Sequence, residues 1–242
     1  LVKEKYPDST FILGGPITWS LREEGKLSYL QYFDYLFIMD GEETLPMFLR
    51  AFEDASYTDL PQIIEAEARF PIQKAKNIRI DLLKPKIEHY YGAVLEVSRG
   101  CPFLCEFCDI RVLPGNNQSN NKPVSLIIEE LDQYHKLGIT QVQFACDNFI
   151  GEVAWARECV DAIVSWRERT GAKISIFTWL TINLYKMPDL MHKMWEAGFS
   201  LLFIGIESVN QNSLLETAKV QNVEVLDQAV RTIQSYGFII AP

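Results

Sequence analysis

The chain has 242 residues, 48% hydrophobic and 23% charged, with a formal net charge of −9. That is the balance of a globular protein able to bury a sizeable core, as one large domain or parts of two. The acidic excess excludes a broad nucleic-acid-binding face, which needs clustered Lys and Arg. No apolar run reaches membrane-spanning length, the first residues lack a signal-peptide pattern, and five cysteines suit a reducing, cytoplasmic setting.

Residues 1–7 read as the last turns of a helix. An apolar strand over 9–16 ends in the turn Gly14-Gly15-Pro16, and a second over 35–39 is closed by Asp40-Gly41-Glu42-Glu43-Thr44. Thr44, Leu45, Phe48, Leu49 and Phe52 then share one helical face. The alternation is that of an open α/β sheet, whose ligands sit beyond the carboxyl ends of the strands. Gly14, Gly15, Gly41 and Glu42 lie there. The glycines either only turn the chain or admit a ligand close to the backbone. Residues 54–92, punctuated by Pro61, Pro71 and Pro85, are expected to be a linker with one or two short strands, carrying no chemistry.

A buried strand is expected over 93–97, broken by Gly100 and Pro102. Just beyond it Cys101, Cys105 and Cys108 stand at C-x3-C-x2-C spacing. Three thiols cannot pair among themselves, so this is no disulfide framework. Soft thiolates prefer iron–sulfur clusters, zinc or copper(I). A structural zinc site takes four ligands, and the fourth would have to come from Cys146, Cys159 or His89, none at finger-like spacing. A four-iron cluster held by three cysteines instead keeps one iron for a small molecule.

A polar loop over 114–123 follows, then a helix from Pro123 and Ser125 to Gly138. Strands are expected over 141–146, 173–178 and 201–205, helices over 153–170, 188–198 and 223–236, and a fifth strand from Phe238. Serial strand and helix argue for a parallel sheet with right-handed crossovers. Its carboxyl strand ends, where such barrels gather their chemistry, carry the cysteine loop, Asp147-Asn148, residues 178–183 and Glu207-Ser208. Cys146 and Cys159 read as packed thiols. His135, His192, Trp155, Trp166 and Trp195 fall on outer helices and read as exposed or packing residues.

The spacing of the three cysteines, with the aromatic Phe107 just before the last, resembles the radical S-adenosylmethionine (radical SAM) superfamily. Residues 199–208, with Lys219 and Asn222, resemble the G-F-x-x-x-F-I-G-I-E-S and K-x-Q-N segments of its cobalamin-dependent members. Leu13-Gly-Gly-Pro16 and the turn at 40–44 resemble the C-terminal half of the cobalamin-binding domain that precedes the barrel in that subgroup. The resemblance implies an α/β architecture with half a doubly wound cobalamin-binding domain over 1–53, a linker over 54–92, and a partial (β/α)6 barrel over 93–242. Nearly five of the six barrel units are covered, so the chain reads as a fragment.

The resemblance further implies that Cys101, Cys105 and Cys108 ligate a 4Fe–4S cluster whose open iron is chelated by SAM. Electron transfer would cleave SAM to a 5′-deoxyadenosyl radical. Phe107 would lie against the adenine, unless it only packs the loop. Glu207 would bind the ribose hydroxyls or the methionine amino group, with an ion pair or a helix-start carboxylate as its alternative. Ser208 is a SAM contact or a turn residue. Asp147 and Asn148 stand where many members hold SAM with a Gly-Gly-Glu-like turn, from which Ala-Cys-Asp-Asn-Phe at 145–149 departs. Gly14, Gly15, Gly41 and Glu42 would contact the nucleotide tail of cobalamin, although no D-x-H-x-x-G loop is present. The implied activity is C-methylation of a small-molecule substrate, fed by an electron donor such as a ferredoxin or flavodoxin. A radical cyclisation or rearrangement is its alternative, and a structural zinc module is the reading from another class.

Overall fold

The computed structural model describes residues 2–219, 222 and 225–242. Leu1 of the opening helical turns, Val223 as the expected start of the last helix, and Val220 and Gln221 of the K-x-Q-N segment lie outside the described residues. The chain divides into two compact units, one ending at Pro71 and one beginning at Ile72. No helix among the described residues is long and apolar enough to cross a membrane.

The first unit holds α1 (Val2–Lys5), β1 (Ile12–Leu13), α2 (Pro16–Glu23), β2 (Tyr35–Ile38), α3 (Thr44–Glu53) and β3 (Ile63–Glu65). Its three strands are parallel in the order β1-β2-β3. The central β2 is buried at all four positions, which is why its four residues are uniformly apolar. Phe48 of α3 packs on Tyr35 and Phe37, ring centroids 4.8 and 5.5 Å apart, and Ile64 of β3 completes that small core. β1 ends at the expected turn, where Gly15 has a φ of 90°, open to glycine but unfavourable for other residues, and Pro16 then starts α2. The Thr18 hydroxyl, 2.7 Å from the carbonyls of both Gly15 and Phe37, ties α2 to the end of β2.

Residues 54–92 contribute to both units. β3 joins the first sheet through Ile64, while Ile80, Leu83 and Ile87 pack into the core of the second unit. Their apolar residues are too few and too irregularly spaced to show a period, yet Ile64, Ile72 and Ile80 are buried.

The second unit is a five-stranded parallel sheet in the order β4-β7-β8-β9-β10, built from β4 (Ala93–Glu96), β7 (Gln141–Ala145), β8 (Ser175–Leu180), β9 (Phe199–Ile204) and β10 (Ile239–Ala241). The connections carry α4 (Val124–Lys136), α5 (Val153–Thr170), α6 (Pro188–Glu196), α7 (Gln211–Glu216) and α8 (Leu226–Ser235). Leu95, Phe144, Ile176 and Leu202 form one core with Ile127, Leu131, Ile163 and Met194 of the helices. β8 shows the two-residue period plainly. Ile176, Thr178 and Leu180 are buried while Phe177 and Trp179 face the other side, half-buried. It runs two residues beyond the expected end because Trp179 and Leu180 stay paired with Phe203 and Ile204. β4 and β10 are the open edges of this partial barrel.

Two features were not expected. The polar loop before α4 contains β6 (Asn120–Asn121), which pairs antiparallel with β5 (Ser98–Arg99) immediately before the first cysteine. α7 is a six-residue helix capped by Asn210, whose side-chain oxygen accepts the amides of Asn212 and Ser213.

Candidate functional site

The cysteine loop is held by backbone bonds at its base. Cys101 N donates to Asn116 O at 2.9 Å, and Lys122 N to Val97 O at 2.9 Å. Gly100, at φ 91°, leaves no room for a side chain, since a Cβ there would lie 2.1 Å from Gln118 O. Within the loop Cys108 N donates to Cys105 O at 3.1 Å, and Glu106 N reaches Thr217 O at 3.0 Å. The loop is thus tied both to β5–β6 and to the segment after α7.

The three thiols line one cavity of about 500 Å³ at the carboxyl ends of β4, β7, β8 and β9, shared with Phe107, Asp147 and Glu207. Asp147 accepts a hydrogen bond from Gly100 N at 2.6 Å. Asn148, 2% exposed, sits behind the wall, and its Nδ2 donates to Cys101 Sγ at 3.8 Å. The end of β7 therefore buttresses the cysteine loop from below. Burial raises the Cys101 thiol above its ordinary pKa, opposed by hydrogen bonds from the Phe103 amide and Asn148; a bound metal would favour the thiolate that burial disfavours.

Glu207 follows β9 at φ 63°, a left-handed conformation that costs energy for a residue other than glycine. Its Oε1 accepts from Lys219 Nζ at 3.1 Å, and the same ammonium lies 5.6 Å from the centre of the Phe107 ring. Ser208 Oγ accepts from Asn210 N at 3.0 Å, which is the turn role; Ser208 also lines a second cavity that shares Glu207 and Phe203 with the first. Gly14, Gly15, Gly41 and Glu42 belong to the first unit, at the carboxyl ends of β1 and β2. A cavity of about 340 Å³ in that unit is lined instead by neighbours including Asp40, Glu43, Thr44 and Arg69.

Sequence reasoning did not pick out Lys219, Asn222 or Ser98 as site residues, and it gave Trp179 and Thr181 only as part of the strand-end run 178–183. All but Asn222 line the thiol cavity. Ser98 Oγ and Thr181 Oγ1 are buried without a hydrogen-bond partner. The K-x-Q-N segment was the available signal for Lys219 and Asn222. His89 is exposed and Cys159 lies fully buried within α5, so neither stands beside the three thiols as a fourth zinc ligand.

Among the described residues no three His, Cys, Asp or Glu side chains close on a single-ion site. Three thiols on one cavity wall offer the soft sulfur ligands that an iron–sulfur cluster takes. The donor set, all sulfur with buried hydroxyls nearby, fits an iron–sulfur cluster.

Cys146 also lines the cavity, but its Sγ lies 3.3 Å from Thr178 Oγ1, and burial pushes the thiol up to about 12. Burial likewise raises Cys159. At pH 8 a thiol of that pKa is about one part in ten thousand thiolate, the reactive form. Iodoacetamide at pH 8 is therefore expected to leave Cys146 and Cys159 unmodified in the native chain, with labelling only after denaturation. Peptide mass spectrometry reads this directly, and prompt native labelling of Cys146 would contradict its burial.

A sequence profile of the Radical SAM superfamily matches residues 95–240. The hopanoid C-2 methylase of Rhodopseudomonas palustris (strain TIE-1) is 32% identical over 233 residues, covering 95% of this chain and 43% of that protein. An uncharacterized methyltransferase of Synechocystis sp. (strain ATCC 27184 / PCC 6803 / Kazusa) is 33% identical over 211 residues, covering 87% of this chain and 38% of that one. The chain thus spans less than half the length of each. Among solved structures, the cobalamin-dependent SAM radical enzyme OxsB with aqua-cobalamin and SAM bound superposes with a TM-score of 0.70 at 19% identity, over 95% of this chain and 35% of that one.

Proposed function

We propose, for a chain that belongs to the radical SAM superfamily, that Cys101, Cys105 and Cys108 hold a 4Fe–4S cluster beside a SAM site, within a cobalamin-dependent C-methyltransferase. Superfamily members use that cluster and SAM. The observation that carries the reading is the placing of all three thiols on one cavity wall with the Glu207–Lys219 pair. Cobalamin and methyl transfer rest on the methylase and methyltransferase relatives, on the likeness to the cobalamin-dependent enzyme OxsB, and on the glycine turns of the first unit. When bound, cluster and SAM supply a 5′-deoxyadenosyl radical that takes hydrogen from an unreactive carbon, and cobalamin supplies the methyl group.

The chain's own residues have separable tasks. Asn148 gives Cys101 a neutral donor behind its sulfur, an outer contact of the kind that tunes a metal thiolate. The Glu207 carboxylate accepts from the SAM amino group or ribose hydroxyls, and Phe107 offers its exposed ring to the adenine. Trp179, Leu180 and Phe203 form an apolar wall that keeps water from a reactive radical. Gly14, Gly15, Gly41 and Glu42 are assigned to the cobalamin tail. The substrate is a small molecule, and the reductant a low-potential carrier such as a ferredoxin or flavodoxin.

Anaerobic reconstitution with iron and sulfide, followed by electron paramagnetic resonance of the reduced chain, tests the cluster assignment. The expected result is a 4Fe–4S signal that changes when SAM is added. A signal indifferent to SAM, or tight zinc binding with no cluster, would overturn it. In the whole protein, a product heavier by one methyl group distinguishes methylation from cyclisation or rearrangement.

A further inference from the structure

Glu207 is held in an unfavourable conformation, and the structure shows what holds it. Asn222 is fully buried, and its Nδ2 donates to the carbonyls of Gly205 at 2.9 Å and Ile206 at 3.0 Å. Both amide hydrogens are thereby engaged by the two peptides that lead into Glu207. Ser208 N closes the turn from the other side, donating to Ile206 O at 2.7 Å. With the backbone fixed, the Glu207 carboxylate folds back over Gly205, so close that a Cβ on Gly205 would lie 2.4 Å from Glu207 Oε1 and 2.9 Å from Lys219 Nζ. Lys219 then pairs with that carboxylate.

We propose that Asn222 is a positioning residue for Glu207: its buried side-chain amide clamps the Gly205 and Ile206 carbonyls and so aims the Glu207 carboxylate into the thiol cavity. The inference rests on the assignment of that cavity to SAM. Asn222 lies outside the cavity wall and touches no ligand space, so its effect passes entirely through the turn. Removing the clamp lets Glu207 relax to an ordinary negative φ, which swings its carboxylate away from Lys219. The loss of one charge-assisted contact to SAM corresponds to about a tenfold weaker dissociation constant.

The test compares SAM dissociation constants for the reconstituted wild type, N222A, E207A and the double variant. N222A is expected to weaken SAM binding about tenfold, with cluster content unchanged, and to add nothing further in the E207A background. In the cluster-free chain, hydrogen exchange at the Ser208 amide is expected to be faster in N222A. Should N222A fail to load a cluster, G205A probes the same aim from the other side, since its new methyl group displaces Glu207 and leaves Asn222 in place; a similar weakening is expected. An N222A or G205A protein that carries a cluster and binds SAM as wild type does overturns the inference, as does a full further loss in the double variant. A wild type whose cluster ignores SAM removes the functional reading and this inference together, whereas normal wild-type binding with unaffected variants removes only the inference.

Discussion

Replacing any one of Cys101, Cys105 or Cys108 by Ala is expected to drop SAM cleavage by the reconstituted chain to background, while Cys159→Ala retains it. The three thiols share one cavity, and the loop offers no spare ligand: Cys146 faces Thr178 and the Trp179 carbonyl, and Cys159 is sealed inside the helix layer. An alanine at any of the three leaves one iron without its thiolate, and Cys146, the other thiol on that cavity, is engaged by Thr178 and the Trp179 carbonyl. Cys159→Ala removes only a small buried group, a packing change that stability tolerates. The measurement is 5′-deoxyadenosine released under dithionite, with iron counted on the same samples. Cleavage within about tenfold of wild type in any of the three variants would remove that residue from the ligand set.

The second large effect is on stability. Lys122 and Glu130 form an ion pair with Nζ–Oε2 2.5 Å and side-chain exposures of 4% and 0%. Glu130 Oε1 also accepts from Ile78 N at 3.1 Å. Lys122→Met alone strands a carboxylate in the interior, which costs about 3–5 kcal/mol. Lys122→Met with Glu130→Gln restores neutrality and keeps an acceptor for Ile78 N, so most of that loss is expected to return. Urea unfolding of the three proteins reads the difference as a shift in midpoint. A single variant as stable as wild type would mean the pair contributes no more than an exposed one. Because Lys122 N and O also bond Val97 and the Trp155 indole, the pair fixes the chain directly after β6, at the foot of the cysteine loop.

The serial strand and helix pattern of the second unit was legible because its apolar runs are long and their periods differ, as in Ile176, Thr178 and Leu180 against the helical Ile127 and Leu131. The cysteine loop was legible because three thiols in eight residues have few other uses. What escaped was tertiary. Asn222 stands 17 residues from the Gly205 carbonyl it clamps, and nothing in its own neighbourhood announces that bond. β5 and β6 are two residues each, shorter than any period can register. β3 is one of the short strands expected within 54–92, but its pairing with β2 through three residues could not be read from so short a run. Asp147 and Asn148 were picked out for a ligand, and the structure gives them hydrogen bonds to the cysteine loop itself.

The pairing of Ser98–Arg99 with Asn120–Asn121 closes the intervening segment, which carries Cys101, Cys105 and Cys108, into a ring. Bringing the ends of a free loop of that length together costs several multiples of RT in entropy, growing only slowly with length. Here folding bears that cost, helped by the Gly100 carbonyl-lined corner and the Asp147 carboxylate on its amide. The three thiols are thereby carried on one short closed segment, so that a group bound by one of them meets the others at a high effective concentration. On the proposed assignment, metal affinity would depend on a four-residue antiparallel ribbon as well as on the sulfur atoms.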